Sequence, residues 1–160
     1  MPERTYAFEA PPADRGHLAT LDGLSIVRGM LTGDVPPAPI WQTVGLELAS
    51  VEEGLVVCEA GVEPWILNFR GVGQGGWLAT LLDTAMGLAI LTTLPQGRLH
   101  ATLELSTRYI RPVVPALRKV RVTGRVLHAG HQTATAEGDV RVGNKLFAHG
   151  QTTCIVFDAS

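Results

Sequence analysis

Asp83 stands alone in an apolar run, eight residues after Gly75, the first of the paired glycines Gly75 and Gly76, in the stretch "LNFRGVGQGGWLATLLDTAMG" (67–87). A carboxylate among apolar neighbours costs free energy unless it is paired, hydrogen-bonded or neutralised. The glycines suggest what it could do. If Gly75 and Gly76 open a helix, their N–H groups lack intrahelical acceptors and the helix dipole adds positive potential. Such a site stabilises an oxygen that gains negative charge, and glycine lets a carbonyl come close. A polarised carbonyl and a nearby acid are the equipment for acyl transfer to water. A structural carboxylate bonded to a hydroxyl or a backbone group is the plainer alternative.

Spacing sharpens the chemical reading. Eight helical residues rise by about 12 Å, so Asp83 and the Gly75 of its own chain cannot both touch one carbonyl carbon. If both act on one substrate, the acid comes from the facing helix of a second chain. A dimer with shared sites is therefore expected.

Two other readings of the stretch fail on context. Gly71-Val72-Gly73-Gln74-Gly75-Gly76 matches G-x-G-x-x-G letter for letter. A dinucleotide loop also needs a βαβ unit and an acid about 20 residues on, where Thr92 and Thr93 stand instead. Trp77 to Leu94 is long enough to span a membrane. Asp83 would then lie near mid-bilayer, beside Gly87 and four threonines, at high cost. A helix apolar all round is also what a core helix looks like, and that is the reading adopted.

The elements that must position these groups follow from periodicity. Leu21, Leu24, Val27 and Leu31 recur at helical spacing, predicting a helix over about 19–31 capped by Asp22 or Thr20. "TGDVPPAP" (32–39) ends it, since three prolines cannot continue it. Strands are expected at 41–50 and 54–62, joined as a hairpin. The long helix covers 76–94, and further strands follow at 100–112, 117–128, 132–142 and 145–157, broken by turn residues. With so little helix, parallel neighbours have no crossovers. The expected fold is α+β: an antiparallel sheet of about five to six strands wrapped around one long central helix, preceded by a short N-terminal helix. Residues 1–35 read as an N-terminal extension, polar and surface-lying up to residue 16, and 36–160 as the main domain.

Composition supports one globular unit of 160 residues with 46% hydrophobic and 18% charged residues. The formal charge of −2 speaks against a general nucleic-acid binder. Between 98 and 125, however, Arg98, Arg108, Arg111, Arg118, Lys119, Arg121 and Arg125 face only Glu104, which invites an anionic ligand or marks a solvated strand face. Cys58 and Cys154 read as core residues of a reducing compartment. The N-terminus shows no apolar secretory segment, so the cytoplasm is expected. His17, His100, His128, His131 and His149 lack metal-ligand spacing, and no serine sits in a G-x-S-x-G elbow. Neither a metal nor a serine nucleophile is expected.

The stretch at 67–87 resembles the central motif of PaaI-type hotdog-fold acyl-CoA thioesterases, roughly N-x-x-G-x-x-HGG followed by a helix bearing Asp. The resemblance extends through "PPAPIWQTVGLELASVEEG", "TLELSTRYIRPV" and "GHQTATAEGDV", over roughly residues 36–157. It implies a hotdog fold and hydrolysis of an acyl-CoA (aliphatic or aromatic), in a homodimer or homotetramer with sites shared between chains. No cofactor is implied, CoA being part of the substrate. Carried over by position, Gly75 polarises the thioester carbonyl and Asp83 attacks or activates water. Asn68 orients the carbonyl or the water, and Thr102 helps hold the water or the carboxylate. Gly76 adjoins the substrate, and one or two of Arg108, Arg111 and Arg118 would meet CoA phosphates. Gln74 replaces the family's His; it keeps hydrogen-bonding capacity but cannot be protonated. This departure keeps a non-catalytic acyl-CoA sensor in view, beside a thioesterase acting on carrier-protein thioesters. Hotdog dehydratases, which use a His with an acid, rank below hydrolysis.

Overall fold

The run "GGWLATLLDTAMGLAIL" is rich in Ala, Leu and Met, strong helix formers, and it folds as one helix, Gly75–Leu91. In the computed structural model, which describes residues 3–5, 7–8, 10, 16 and 18–159, Leu81, Leu82, Ala85, Met86, Ala89 and Ile90 of this helix are fully buried. It is the third α-helix, after α1 (Gly23–Thr32) and α2 (Pro39–Val44), and is called α3. α3 ends three residues earlier than its hydrophobicity suggests. The Thr92 and Thr93 hydroxyls bond the Ala89 and Ile90 carbonyls (2.6 and 2.8 Å) and Pro95 follows, closing the helix. Thr92 Oγ1 also accepts the Gly54 N–H at 2.8 Å, tying the helix end to a strand turn.

Six strands wrap this helix: β1 (Leu46–Glu52), β2 (Leu55–Gly61), β3 (Arg98–Tyr109), β4 (Lys119–Ala129), β5 (Thr133–Val142) and β6 (Lys145–Asp158). Their order is β1-β2-β4-β5-β6-β3, and every pairing is antiparallel. Val120, Val122, Ala134, Ala136 and Val140 alternate inward against α3. On the other face, Arg125, Glu137, Asp139 and Arg141 form ion pairs of 3.2–4.0 Å. One wet face and one buried face is the pattern that antiparallel sheets allow.

The helix sits close to the sheet because of a glycine row. Register aligns Gly124 of β4 with Gly138 of β5, and Gly138 with Gly150 of β6. A Cβ on Gly124 would lie 2.3 Å from the Ala85 carbonyl oxygen of α3. Side chains at the three positions would push the helix off the sheet.

The N-terminal helix starts later than expected. Asp22 is its N-cap, accepting the Ser25 N–H at 2.7 Å, while Thr20 belongs to a preceding 3₁₀ turn. Gly33, in the left-handed region, closes it. Val27 is fully buried, and the Gly23 N–H bonds the Leu94 carbonyl at 3.0 Å. Most of residues 1–16, expected at the surface, lies outside the described residues.

One assignment is corrected. Residues 41–44 are not strand: "PIWQTV" forms a short helix, α2, and the strand begins at Leu46. The β-prone Trp, Thr and Val are overridden by Pro39 at the first helical turn, left-handed Gly45 at the end and burial of Trp41.

Candidate active site

Asn68, Gly71 and Gly73 shape the loop that feeds α3. The Asn68 amide oxygen accepts the Arg70 N–H at 2.9 Å and lies 3.5 Å from the Val72 N–H, an Asx-type turn. Gly71 takes φ 75°, where a side chain would be strained. With its oxygen engaged, Asn68 keeps an amide nitrogen that makes no hydrogen bond among the described residues, a donor pointing to no internal use.

Gln74 is the N-cap of α3 and its side chain does not cap the helix. The Gly75 and Gly76 N–H groups find no acceptor among the described residues, as the first turn of a helix dictates. The two glycines differ. A Cβ on Gly75 would meet the Tyr109 ring at 3.2 Å, and the Tyr109 hydroxyl donates to the Gly75 carbonyl at 2.9 Å. Gly76 has open space around it. An open groove of about 660 Å³ is lined here by Asn68, Gln74, Gly76 and Thr80, with Trp65 and Trp77. Arg4 lies 4.0 Å over the Trp65 ring at its rim and donates to the Thr43 carbonyl at 2.8 Å.

Asp83 is not in that groove. Two turns further along α3, half-buried, it accepts the Thr102 hydroxyl on Oδ1 at 3.0 Å. Thr102 is exposed on β3, where the register with β6 shifts between Thr102 and Glu104. Such an irregularity re-aims side chains and is common beside active sites. The sequence-predicted residues thus fall into two groups within one chain. Asn68, Gln74, Gly75 and Gly76 surround the helix start, and Asp83 with Thr102 faces the β3 edge.

Most of the basic stretch is engaged. Arg98 pairs with Asp158 (3.0 Å), Lys119 with Glu59 (2.8 Å), and Arg111 donates to the Leu146 carbonyl (2.6 Å). Arg108 and Arg118 make no side-chain hydrogen bond or ion pair among the described residues. Arg118 alone among the described non-glycine residues has positive φ, 62°. Burial pushes the Cys58 thiol up to about 12 and the Cys154 thiol upward, so neither is a thiolate nucleophile. Among the described residues, no three His, Cys, Asp or Glu side chains gather to hold a metal.

Two site neighbours escaped the sequence reading. Tyr109 lies in "TLELSTRYIRPV", and nothing in its spacing assigns it a role. His100 was weighed only as a metal ligand, yet it lies on β3 two residues from Thr102, against α3 at Gly87. The signal was available: 100 and 102 share a strand face, and 83 and 87 share a helix face. Burial holds the His100 imidazole below its ordinary 6.5, although the Gly87 carbonyl and the Asp83 carboxylate pull it upward. In the unfolded chain His100 takes its proton first as pH falls. Its neutral form therefore contributes stability fully above the unfolded value, and that contribution is lost as pH falls through the folded one.

A single apolar helix wrapped by a six-stranded antiparallel sheet, with glycines at the helix start and one carboxylate within it, is the hotdog architecture. The chain belongs to the thioesterase superfamily, whose family model matches residues 71–148. Acyl-coenzyme A thioesterase 13 of Homo sapiens is 30% identical over 110 residues, covering 68% of this chain and 77% of that protein. The structure of a conserved protein from Pseudomonas aeruginosa superposes with TM-score 0.72 at 36% identity, covering 76% of this chain and 95% of that one. A mutant of the phenylacetic acid degradation protein PaaI from Thermus thermophilus superposes with TM-score 0.67 at 26% identity, over 74% and 98%. No helix among the described residues is long and apolar enough to cross a membrane.

Proposed function

We propose that this protein hydrolyses acyl-CoA thioesters to free acid and CoA, in a homo-oligomer built from dimers whose sites lie between chains. The observation that carries the reading is the split between the donor-lined groove at the start of α3 and the Asp83–Thr102 pair at the β3 edge. β3, a 12-residue strand, is last in the sheet: it pairs with β6 on one side, has no strand on the other among the described residues, and exposes Leu99, Leu103 and Tyr109. A long apolar edge is an invitation to pair with another strand. Pairing two β3 edges would bring the Asp83 of one copy toward the groove of the other.

In that arrangement the Gly75 N–H polarises the thioester carbonyl and the Asn68 amide nitrogen orients it or the lytic water. Asp83 of the second copy takes a proton from water as the water oxygen attacks the carbonyl carbon, or it attacks that carbon itself and water then opens the resulting acyl-aspartate anhydride to release the acid. Thr102 occupies Asp83 Oδ1 and leaves the other oxygen for the reaction. The C–S bond breaks and CoA leaves as the thiolate. Gln74 and Gly76 line the approach, Gln74 as a hydrogen-bonding group that donates and accepts but does not titrate. Arg108 and Arg118, whose guanidinium groups are unengaged, are better candidates for the CoA phosphates than Arg111. No cofactor enters this scheme. The cytoplasm is the compartment it favours, in keeping with the free Cys58 and Cys154 thiols. Residues 36–160 hold this machinery, and residues 1–35 add an extension whose helix closes the core.

Thiol release from short, long-chain and aromatic acyl-CoAs tests the activity. Turnover of at least one ester is expected. Saturable binding without thiol release would favour an acyl-CoA sensor, the reading that Gln74 keeps open. Preference for carrier-protein thioesters over CoA esters would redirect the substrate instead.

Shared sites make a second prediction. Asp83→Asn and Asn68→Ala proteins, each inactive alone, are unfolded and refolded together. One site of each mixed dimer is then intact, and roughly a quarter of wild-type activity returns for random pairing. No recovery despite verified heterodimers would place the whole site within one chain.

A further inference from the structure

His100 is a titratable side chain beside the carboxylate that the mechanism leaves unused. Its ring packs on α3 where Gly87 has no side chain: a Cβ there would lie 3.2 Å from His100 Cε1. Gly87 is one helical turn beyond Asp83, and His100 is two residues along β3 from Thr102, which holds Asp83 Oδ1 at 3.0 Å. Helix and strand thus present Asp83 and Gly87 to Thr102 and His100. His100 Nδ1 is shut away from solvent with no hydrogen-bond partner among the described residues. An unprotonated Nδ1 carries that isolation at modest cost, whereas an N–H there would be a buried donor with no acceptor.

The charged surroundings are sparse. Asp83 is the one ionisable residue of α3. On β6, Val156 stands opposite His100, with Cys154 and Asp158 two residues either side. Cys154 stays a neutral thiol because burial raises it, and Asp158 is paired with Arg98. On β3 itself, Arg98 is engaged in that pair and Glu104 lies beyond the register shift. Asp83 is thus the unpaired charge that a protonated His100 would meet.

We propose that His100 is a positioning residue for Asp83, and that its own protonation decides whether Asp83 works as a free carboxylate or as one restrained by a neighbouring positive charge. Neutral His100 leaves the carboxylate's charge for the carbonyl or the water. Protonated His100 draws that charge toward the sheet and lowers both nucleophilicity and basicity. The role rests on the thioester hydrolysis proposed above, and it places in β3 the imidazole that the loop lacks at Gln74. Because burial depresses the imidazole, the switch acts on the acid side of neutrality.

The test has two arms. In the first, kcat for acyl-CoA hydrolysis is followed from acid to neutral pH in wild type, His100→Gln and His100→Asn. Wild type is expected to lose activity through an inflection below the ordinary histidine value, by up to about tenfold per pH unit. Both variants should lose that inflection, and KM should be nearly unmoved. In the second arm, the His100 Cε1–H resonance is titrated by NMR in wild type and Asp83→Asn, with no substrate present. Removing the carboxylate should lower the His100 midpoint by several tenths of a pH unit or more. Superimposable pH–rate profiles would overturn the proposal, and so would a His100 midpoint indifferent to Asp83. A wild type that turns over no acyl-CoA would overturn the hydrolase reading, and the NMR arm would still decide whether the two residues are coupled.

Discussion

Asp83→Asn is expected to lower kcat for acyl-CoA hydrolysis by roughly 10²–10⁴-fold, the range for removing a positioned acid–base group. The substitution is nearly isosteric. The amide oxygen of Asn still accepts the Thr102 hydroxyl, now at 3.0 Å on Oδ1, so the β3 contact survives. A neutral amide, however, neither attacks a thioester nor takes a proton from water. Loss in kcat with KM and melting temperature near wild type places the carboxylate in the chemical step. Equal thiol release by wild type and variant would remove Asp83 from the mechanism and leave it as a structural partner of Thr102.

The largest stability effect is expected at Gly124. Its Cβ would lie 2.3 Å from the Ala85 oxygen, 2.4 Å from the Ala85 carbonyl carbon and 2.6 Å from the Met86 nitrogen, all backbone of α3. No rotamer change relieves such a clash, so the helix must move off the sheet. Gly124→Ala should cost about 3 kcal/mol or more, at the upper end for overpacking. For a chain of this size the melting temperature falls by roughly 6–12 °C. Gly76→Ala is the contrast: its Cβ meets nothing within 4 Å, and alanine favours helix over glycine. Thermal unfolding of the two variants side by side checks the pair. A Gly124→Ala protein as stable as wild type would mean that the glycine row does not set the helix-to-sheet distance.

Much of this molecule is local and therefore legible in one dimension. The period-two alternation of "TATAEGDV" becomes β5, with Ala134, Ala136 and Val140 inward. The apolar run at 75–91 becomes the core helix because its neighbours offer no other way to bury it. The hairpin of β1 and β2 also follows from a short turn, whereas the four strands after the helix read as one meander and only β4-β5-β6 is sequential: β3 pairs with β6, and β4 with β2. Residues 41–44 read as strand but fold as helix, because their β-prone side chains are outvoted by Pro39, Gly45 and a buried Trp41. The basic stretch at 98–125 looked like one patch, yet its members point to different strands and faces. Arg98 and Lys119 meet acids distant in sequence and Arg125 meets Glu137 and Asp139 of the next strand, while the other four form no ion pair among the described residues.

The sequence by itself determined the helix, the number of strands to within one, the glycine-opened helix start and the lone carboxylate, since each depends on spacing within about 20 residues. Even the 12 Å separation of Gly75 and Asp83 is a property of helical rise. Tertiary structure decided which residues from distant segments stand together. Strand register lines up Gly124, Gly138 and Gly150, so that the helix can rest on backbone. The packing of β3 on α3 sets Thr102 against Asp83 and His100 against Gly87. Sequence carries each residue's chemistry and local geometry, but contacts between segments depend on how the buried faces fit, and that fit exists only once the chain is folded.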